Sequence, residues 1–343
     1  MKIGILTSGG DTPGMNAVIR GFAMRARGLG HEVIGIKYGW KGLMDGLFME
    51  IPMDYDELIA KGGTILYSGR TNPFKRDDGV ARIRKTFKEH GLDAVVAIGG
   101  DDTLGVANKL TQEGLPMVGV PKTIDNDLDA TDYTFGFNTA YSIAANAMEN
   151  MKTTARSHGR ILVVEVMGRH AGWLTLYAGI AAGAHAILIP EFPLDMQTVA
   201  SLIRKRFENP ETAWAIVAVS EGYEFTSQQT EGVETDEFGH VRLEKLKIGE
   251  KVAEFLEKEV GATARAVVLS YLQRSGAPSP YDRVLSTRLG IAAADLVHER
   301  KFAMMPSLRG TKIVPVALND AVDRLKLVDE EHWDVAKKLM GLD

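Results

Sequence analysis

Short apolar runs recur along this chain, and each run ends at a glycine, a proline or a polar cluster. Their length and their content of β-branched residues are typical of buried parallel strands. The strands predicted in this way span residues 3–6, 33–36, 94–98, 117–120, 161–166, 186–189, 213–219, 264–272 and 313–318.

Segments with helical spacing of apolar positions separate these runs. The predicted helices span residues 17–29, 79–90, 103–113, 139–154, 196–207, 248–260 and 288–299. Strands that alternate with helices predict a doubly wound α/β protein. Residues 227–240 are polar and acidic, and they predict a surface loop or a short excursion.

Composition narrows the kind of protein. With 343 residues, of which 45% are hydrophobic, the chain is long enough for two domains or one large α/β unit. A formal net charge of −5 without a basic stripe argues against nucleic acid as a partner, so a phosphorylated ligand needs locally placed cations. The lack of cysteine, of a signal-peptide pattern and of a membrane-spanning pattern predicts a cytoplasmic protein.

A strand, Gly-Gly-Asp and a helix follow one another twice, at residues 5–11 and 95–101. Glycines allow close backbone approach and a helix N-terminus offers unpaired N–H groups, so the first turn, with Gly10, can cradle a phosphate. Gly-Gly-Asp also forms ordinary tight turns, so this signal alone does not separate the two interpretations. Two such turns at strand carboxyl ends are expected to face one crevice.

Two adjacent carboxylates, Asp101 and Asp102, follow the second pair of glycines. Asp101 stands where an α/β enzyme places a ligand-binding carboxylate, and it suits Mg²⁺ that bridges a substrate phosphate. The alternative is an N-cap for a helix that begins near Thr103. Capping does not account for Asp102, because two carboxylates repel a polyanion unless a cation intervenes. Asp102 is therefore either a second metal ligand or a group that selects the phosphoryl donor.

A second polar segment, Lys122-Thr123-Ile124-Asp125-Asn126-Asp127, comes directly after a predicted strand. If the segment is extended, Asp125 and Asp127 point the same way, so that one takes a proton from a hydroxyl while the other positions it. Lys122 supplies a positive charge that can stabilise a migrating phosphoryl group. The alternative is an Asx-rich loop.

Other charged and polar residues begin or end predicted strands. Arginines grip phosphates through paired hydrogen bonds, and a carboxylate such as Glu221 accepts sugar hydroxyl protons. Any one of these residues by itself would more often form a surface ion pair. The set comprises Arg160, Met167, Gly168, Arg169, Glu221, Arg265, Tyr271 and Arg274.

The whole pattern resembles the phosphofructokinase family, whose members phosphorylate fructose 6-phosphate at its C1 hydroxyl. Four motifs carry the resemblance in the family's order and spacing, and it extends from Met1 to about Leu342: Gly-Gly-Asp-Thr-Pro-Gly-Met-Asn, Thr-Ile-Asp-Asn-Asp, Met-Gly-Arg-x-Ala-Gly and Gln-Arg-x-Gly-x-Pro-x-x-x-Asp-Arg. The resemblance implies two Rossmann-like three-layer αβα domains. The larger, donor-binding domain would comprise residues 1–136 plus 273–323, and the smaller, fructose 6-phosphate-binding domain residues 137–272 plus 324–343.

The resemblance also implies the residues that handle the donor and the reacting atoms. Gly10 and Arg70 would contact the donor phosphates, and Asp101 would hold Mg²⁺. Asp125 would be the base that accepts the C1 hydroxyl proton. Two neighbours of this base would position and stabilise the reacting groups, namely Thr123 and Asp127.

For the acceptor, the resemblance implies that Arg169 stabilises the transferring phosphoryl group and that Glu221 binds the sugar hydroxyls. Met167 and Gly168 would lie beside Arg169. The sugar 6-phosphate would be held by Arg160, Arg265, Tyr271 and Arg274. In this family the first two of these residues reach into the site of a neighbouring subunit, so the resemblance implies a homodimer or a homotetramer.

Asp102 and Lys122 bear on the identity of the donor. In the family, ATP-using bacterial members usually carry Gly at both positions, and pyrophosphate-using members carry Asp and Lys, as this chain does. A carboxylate at Asp102 would occupy or repel the site of the ATP α-phosphate, and Lys122 would assist the leaving phosphate. Some ATP enzymes keep the Lys but have Gly at the position of Asp102, so Asp102 is the discriminating residue. The resemblance thus implies reversible, Mg²⁺-dependent transfer from pyrophosphate to fructose 6-phosphate.

Three departures from the family pattern matter. Tyr271 stands where many ATP enzymes have His, and both side chains can donate to a phosphate. Ser275 replaces a Gly that the family usually has after Gln-Arg, so the sequence leaves the local backbone open there. Met24 replaces a basic residue of the effector site of regulated bacterial enzymes, and the segment 209–212 lacks the lysines of that site. The resemblance therefore implies a non-allosteric enzyme.

Two rival interpretations remain open from the sequence. One is an ATP-dependent 6-phosphofructokinase. The other is a non-catalytic sugar-phosphate-binding regulator, against which the intact Asp101, Asp125, Asp127 and Arg169 argue.

Overall fold

The computed structural model describes residues 1–52, 56–225, 238, 243–322 and 324–342. Contacts within the chain define two compact units. Unit 1 consists of Met1–Ile124, Leu128–Thr139 and Arg274–Leu325, and unit 2 consists of Asp125–Asp127, Ala140–Gln273 and Lys326–Asp343. The predicted surface excursion at 227–240 lies, except for residue 238, outside the described residues.

Strands and helices alternate along most of the described chain. The strands are β1 (Lys2–Thr7), β2 (Glu32–Ile36), β3 (Phe48–Glu50), β4 (Ala94–Gly99), β5 (Met117–Thr123), β6 (Phe135–Gly136), β7 (Ile161–Val166), β8 (Ala186–Leu188), β9 (Ala215–Ser220), β10 (Ala264–Val268), β11 (Met304–Arg309) and β12 (Lys312–Ala317). The α-helices are α1 (Met15–Gly28), α2 (Trp40–Asp45), α3 (Gly79–His90), α4 (Asp101–Gln112), α5 (Phe137–His158), α6 (Trp173–Ala182), α7 (Met196–Phe207), α8 (Ile248–Val260), α9 (Pro280–His298), α10 (Leu318–Val322) and α11 (Glu330–Met340).

The sheet of unit 1 has the order β12-β11-β5-β4-β1-β2-β3, and β6 pairs with β5. Its three central strands are parallel and almost entirely buried, which explains why their sequences are unbroken apolar runs. Ile98 pairs with Thr7 of β1 on one side and with Val120 of β5 on the other. This register brings the carboxyl ends of β1, β4 and β5 side by side.

The sheet of unit 2 has four parallel strands in the order β10-β7-β9-β8. Every residue of β7 and β9 is buried. Val166 pairs with Ser220, and the N–H of Glu221 donates to the carbonyl of Val166 over 2.9 Å. Met167 and Glu221 therefore leave adjacent strands at the same edge of this sheet.

The predicted doubly wound α/β class is confirmed, but two of the predicted strands are wrong in part. The run 264–272 forms a strand only to Val268, because Ser270 adopts a left-handed φ of 43° and the chain turns into a 3-10 helix over Ser270–Arg274. The run 313–318 was predicted to be a buried parallel strand. It falls in β12, which is antiparallel to β11, half-exposed and at the end of the sheet.

Four observed helices were not predicted, namely α2, α6, α10 and α11, and one predicted helix begins well before its expected start. Helix α9 was predicted to begin at residue 288, but it begins at Pro280, where the Ser279 side chain accepts a hydrogen bond from the N–H of Asp282. Helix α6 was missed because nearly every residue in it is apolar, which hides the helical period. Of the helices in the described part of the chain, none has the length and apolar character needed to cross a bilayer.

Candidate active site

In unit 1, the turn after β1 is fixed by a neighbouring segment. The N–H of Gly9 donates to the carbonyl of Gly69 over 3.0 Å, and the Ser68 hydroxyl donates to the carbonyl of Gly9 over 2.5 Å. Arg70 follows directly on this segment, and its side chain is exposed. The two hydrogen bonds thus hold the backbone of Arg70 beside the turn that contains Gly10.

Lys122 is buried against this turn and is only 4% exposed. Its amine donates to the carbonyl of Gly10 over 2.7 Å. The guanidinium of Arg274 donates to the carbonyl of Asp11 over 3.0 Å, and a Cβ on Gly10 would lie 2.9 Å from that guanidinium. The turn is therefore enclosed by two cations, and the lack of a side chain at Gly10 leaves room for the guanidinium of Arg274.

The pKa of Lys122 is lowered to about 7. Burial is the largest cause, because it disfavours the charged amine, and repulsion from Arg274 adds to it. Attraction to Asp101 acts in the opposite direction. Near neutral pH the amine is thus poised between its charged and neutral forms.

Asp101 and Asp102 are the first two residues of α4, and both are half-buried. The N-cap of α4 is Gly100, and no side chain caps the helix there. The alternative that Asp101 is an N-cap is therefore wrong. Two carboxylates in the first turn are stabilised by the positive end of the helix dipole, and they remain suited to bind a cation.

The segment after β5 bends, contrary to the extended geometry on which the pairing of its two carboxylates was predicted. Asn126 has a left-handed φ of 54°, so Asp125 and Asp127 are not neighbours on one face of an extended strand. Thr123 ends β5, and its carbonyl accepts a hydrogen bond from the Thr134 hydroxyl over 2.8 Å. Asp125–Asp127 are part of unit 2.

In unit 2, the loop after β7 is fixed through Gly168. Its N–H donates to Glu221 Oε1 over 3.2 Å, and its carbonyl accepts from the Ser220 hydroxyl over 2.8 Å. Gly168 has a φ of 141°, and a Cβ there would lie 2.8 Å from the carbonyl oxygen of Ala171. Only glycine fits this position. Met167 and Arg169 are half-buried on either side of it.

The pKa of Glu221 is raised to about 7. Burial is the largest cause, and repulsion from Asp125 adds to it. The hydrogen bond from Gly168 and the charge of Arg169 oppose the shift. Glu221, Asp125 and Arg169 therefore interact electrostatically within unit 2.

The residues suggested for the sugar 6-phosphate fall into two groups. Arg160 and Arg265 are exposed and stand at the amino ends of β7 and β10. Met167 leaves the carboxyl end of β7, and the six residues of that strand separate the two ends by about 17 Å. Tyr271 is 76% exposed, and it lies with Arg274 in the 3-10 turn Ser270–Arg274 that follows β10.

The sequence also left two details open that the structure resolves. Ser275 left the local backbone open, and the left-handed residue there is Gly276, with a φ of 78°. The contacts that fix the loop after β7 were not predicted. One of these comes from Gln273, whose only signal in the sequence was its place in the Gln-Arg motif.

Comparisons with known proteins agree with this architecture. The family model described as phosphofructokinase matches residues 2–297. A pyrophosphate--fructose 6-phosphate 1-phosphotransferase of Dictyoglomus thermophilum is 47% identical over 341 residues, which cover 98% of each chain. An ATP-dependent 6-phosphofructokinase 3 of Streptomyces coelicolor is also 47% identical over 342 residues, covering 98% of this chain and 99% of the relative.

A solved structure has the same fold. It is the pyrophosphate-dependent phosphofructokinase from Marinobacter aquaeolei, with a TM-score of 0.83 over 99% of this chain and 92% of that chain. The sequence identity is 22%, so this similarity concerns the fold alone.

The family match and the full-length relatives place this chain among the phosphotransferases. The chain belongs to the phosphofructokinase family and is an enzyme with phosphofructokinase activity. Enzymes of this family generally use Mg²⁺. Relatives of equal identity are named for different donors, so overall similarity does not identify the donor.

Proposed function

We propose that this phosphofructokinase transfers a phosphoryl group reversibly from pyrophosphate to the C1 hydroxyl of fructose 6-phosphate. The observation that carries the proposal is Asp102, a half-buried carboxylate in the first turn of α4. The N-terminus of a helix normally attracts phosphate, and a fixed negative charge there limits how much of a polyphosphate chain is tolerated. ATP has a third phosphate to accommodate, whereas pyrophosphate has only two.

The donor side of the reaction is assigned to unit 1. Gly10 leaves room for phosphate oxygens beside Arg274 and the buried amine of Lys122, and Arg70 adds a further cation. Positive charge at these places balances the charge that builds up on the leaving phosphate. The burial of Lys122 supports this role, because a charge shielded from water interacts more strongly with a bound anion.

The residues present fit a magnesium ion. Among the described residues, no group of three or more acidic or imidazole side chains is placed to form an all-protein metal site. Mg²⁺ typically uses one or two carboxylates, with water and substrate phosphates as its other ligands. Asp101 matches that donor set, and we assign it as the ligand. A bound Mg²⁺ would neutralise phosphate charge.

The acceptor side is assigned to unit 2. Asp125 takes the proton of the C1 hydroxyl, while Arg169 stabilises the transferring phosphoryl group. Glu221 accepts hydrogen bonds from sugar hydroxyls. Its Oε1 accepts a hydrogen bond from the N–H of Gly168, which fixes the orientation of the carboxyl group. Gly168 belongs to the same loop as Arg169. The remaining assigned residues are Met167, Gly168 and Tyr271 for the substrate, Asp127 for positioning and, from unit 1, Thr123 and Arg274.

We further propose a homodimer or homotetramer with shared active sites. Arg160 and Arg265 stand at the amino end of the unit 2 sheet, far from Met167 of the same chain. Their exposure leaves both guanidinium groups accessible to a second copy. Arg265 NH1 pairs with Glu257 Oε2 over 2.9 Å, an exposed ion pair that costs little to exchange for a phosphate.

One assay tests the donor. Purified protein is incubated with fructose 6-phosphate, Mg²⁺ and either pyrophosphate or ATP, and fructose 1,6-bisphosphate is measured. We expect turnover with pyrophosphate and, from fructose 1,6-bisphosphate and phosphate, measurable reverse turnover. Turnover with ATP alone would overturn the proposal and favour an ATP-dependent 6-phosphofructokinase, the second candidate, which the identity to the Streptomyces coelicolor enzyme keeps open.

A further inference from the structure

Strand β10 turns away from its neighbour β7 before it can pair with the N–H of Met167, the residue that follows β7. The N–H of Leu269 donates to the carbonyl of Glu165 over 3.1 Å, which is the last rung between the two segments. In a regular parallel ladder the next donor would be the N–H of Met167, directed at the carbonyl of Leu269. That carbonyl instead accepts from the N–H of Leu272 over 3.1 Å as the chain turns.

A side chain replaces the missing rung. Gln273 Oε1 accepts the hydrogen bond from the N–H of Met167 over 2.8 Å. Gln273 is 0% exposed, so no water competes for this bond at its side chain. The same amide therefore joins the 3-10 turn that carries Tyr271 to the first residue of the loop that carries Arg169.

The amide nitrogen of Gln273, Nε2, has no hydrogen-bond partner among the described residues to compensate for its burial. A buried donor without a partner costs free energy, so this side chain is a poor device for stability alone. An acceptor that holds one backbone N–H is the role that the contacts leave for it.

We propose that Gln273 is a positioning residue for fructose 6-phosphate, acting through the N–H of Met167. It sets the loop containing Met167 and Arg169 relative to the turn containing Tyr271. The inference rests on the proposed assignment of unit 2 to the acceptor. It is independent of the donor, because every residue in the argument belongs to unit 2.

The test compares two substitutions of similar size. Gln273→Met removes the acceptor and keeps the length of the side chain, whereas Gln273→Glu keeps an oxygen for the N–H of Met167. Gln197→Met, at an exposed glutamine of α7, is the matched control for the same chemical change. Each variant is assayed with whichever donor the parent uses, and its thermal unfolding is recorded.

We expect Gln273→Met to raise the KM for fructose 6-phosphate roughly tenfold, as the loss of one buried hydrogen bond implies. The KM for the donor should stay within about twofold, and Gln273→Glu should recover most of the loss. A merely structural role would reduce the active fraction, which lowers kcat and leaves both KM values unchanged. Hydrogen exchange adds a direct readout, because the N–H of Met167 should exchange faster in Gln273→Met and not in Gln197→Met.

The possible failures are distinct. If the parent uses fructose 6-phosphate and its KM is the same in Gln273→Met, the inference is wrong and the proposed function stands. If the parent neither binds nor turns over fructose 6-phosphate, the acceptor assignment falls and takes the inference with it. If Gln273→Met does not fold, Gln273→Asn, which is one methylene too short for the 2.8 Å contact, is used with the same expectations.

Discussion

The amine of Lys122 donates a hydrogen bond of 2.7 Å to the carbonyl oxygen of Gly10. This contact joins the carboxyl end of β5 to the turn after β1, two strands that are separated in the sheet by β4. It buries a titratable amine whose pKa is about 7. The proposed phosphate site is therefore sensitive to pH in the range where the enzyme would work.

The affinity for the donor should fall as pH rises through neutrality. Below its pKa of about 7 the Lys122 amine is positive and attracts phosphate, and above that pKa it loses the charge. If only the charged form binds the donor, the KM for pyrophosphate rises about tenfold between roughly pH 6 and pH 8. Steady-state kinetics across that range measure this dependence.

Lys122→Arg provides the control, because a guanidinium stays charged throughout the range. The variant is expected to bind pyrophosphate less well at pH 6 on account of its size, but with a KM that varies little with pH apart from the ionisation of pyrophosphate itself. An equal pH dependence in parent and variant would show that Lys122 is not the titrating group.

The choice of donor should change when Asp102 is replaced. Asp102→Gly removes both the side chain and its charge, so kcat/KM with ATP should rise at least roughly tenfold, which corresponds to about 1.4 kcal/mol. Asp102→Asn keeps the size and removes only the charge, and comparing the two variants separates repulsion from steric exclusion. The double variant with Lys122→Gly should favour ATP further. Unchanged ratios of ATP to pyrophosphate activity in all three would contradict the role of Asp102.

Glu221 should make the binding of fructose 6-phosphate depend on pH in the opposite sense. Its carboxyl is protonated below a pKa of about 7 and ionised above it, and we expect only the ionised form, which is the stronger hydrogen-bond acceptor, to bind the sugar. The KM for fructose 6-phosphate should therefore fall about tenfold between roughly pH 6 and pH 8. Glu221→Gln cannot titrate, and the part of the dependence that remains in it reports on the sugar phosphate. If the variant retains the whole dependence, Glu221 is not responsible.

Local sequence was sufficient for the elements that have a clear hydrophobic period. The predicted helices 79–90, 196–207 and 248–260 have the observed bounds, and the two Gly-Gly-Asp turns do follow adjacent parallel strands. The sequence could not show that an apolar run stops being a strand at Ser270, or that Asn126 bends the segment between two aspartates. Both depend on single left-handed residues, which composition does not reveal.

The candidate site likewise has features that the sequence predicts and features that it does not. Motif spacing identified Lys122 and Glu221, but not that both have a pKa of about 7. Those shifts come from burial and from partners distant in sequence, such as Arg274 for Lys122 and Asp125 for Glu221. Such pairs become visible only when strand order and register are known. The roles assigned to these residues, and to the two domains, remain predictions.

Regulation provides a simpler expectation. Asn209 begins a short 3-10 turn and its side chain accepts from the N–H of Glu211 over 3.0 Å, so this segment offers an acidic residue and no cation to an anionic effector. Kinetics in fructose 6-phosphate should be hyperbolic and should change little with ADP or phosphoenolpyruvate. A sigmoidal curve that ADP relieves would contradict the non-allosteric assignment.

Shared active sites can be tested by mixing two inactive variants. Arg265→Ala removes a group proposed to serve the neighbouring subunit, and Asp125→Asn removes the base from the variant's own site. In a mixed dimer, one site combines an intact Asp125 with the intact Arg265 of the other subunit. Random mixing makes about half of the dimers mixed, and each mixed dimer has one intact site of its two. Activity should therefore recover to about a quarter of the parent's.

Mixing Asp125→Asn with Arg169→Ala is the control, because both changes affect the same subunit's site and no pairing restores it. If the first mixture stays as inactive as the control while co-purification of differently tagged variants shows that mixed oligomers have formed, Arg265 does not serve a neighbouring subunit.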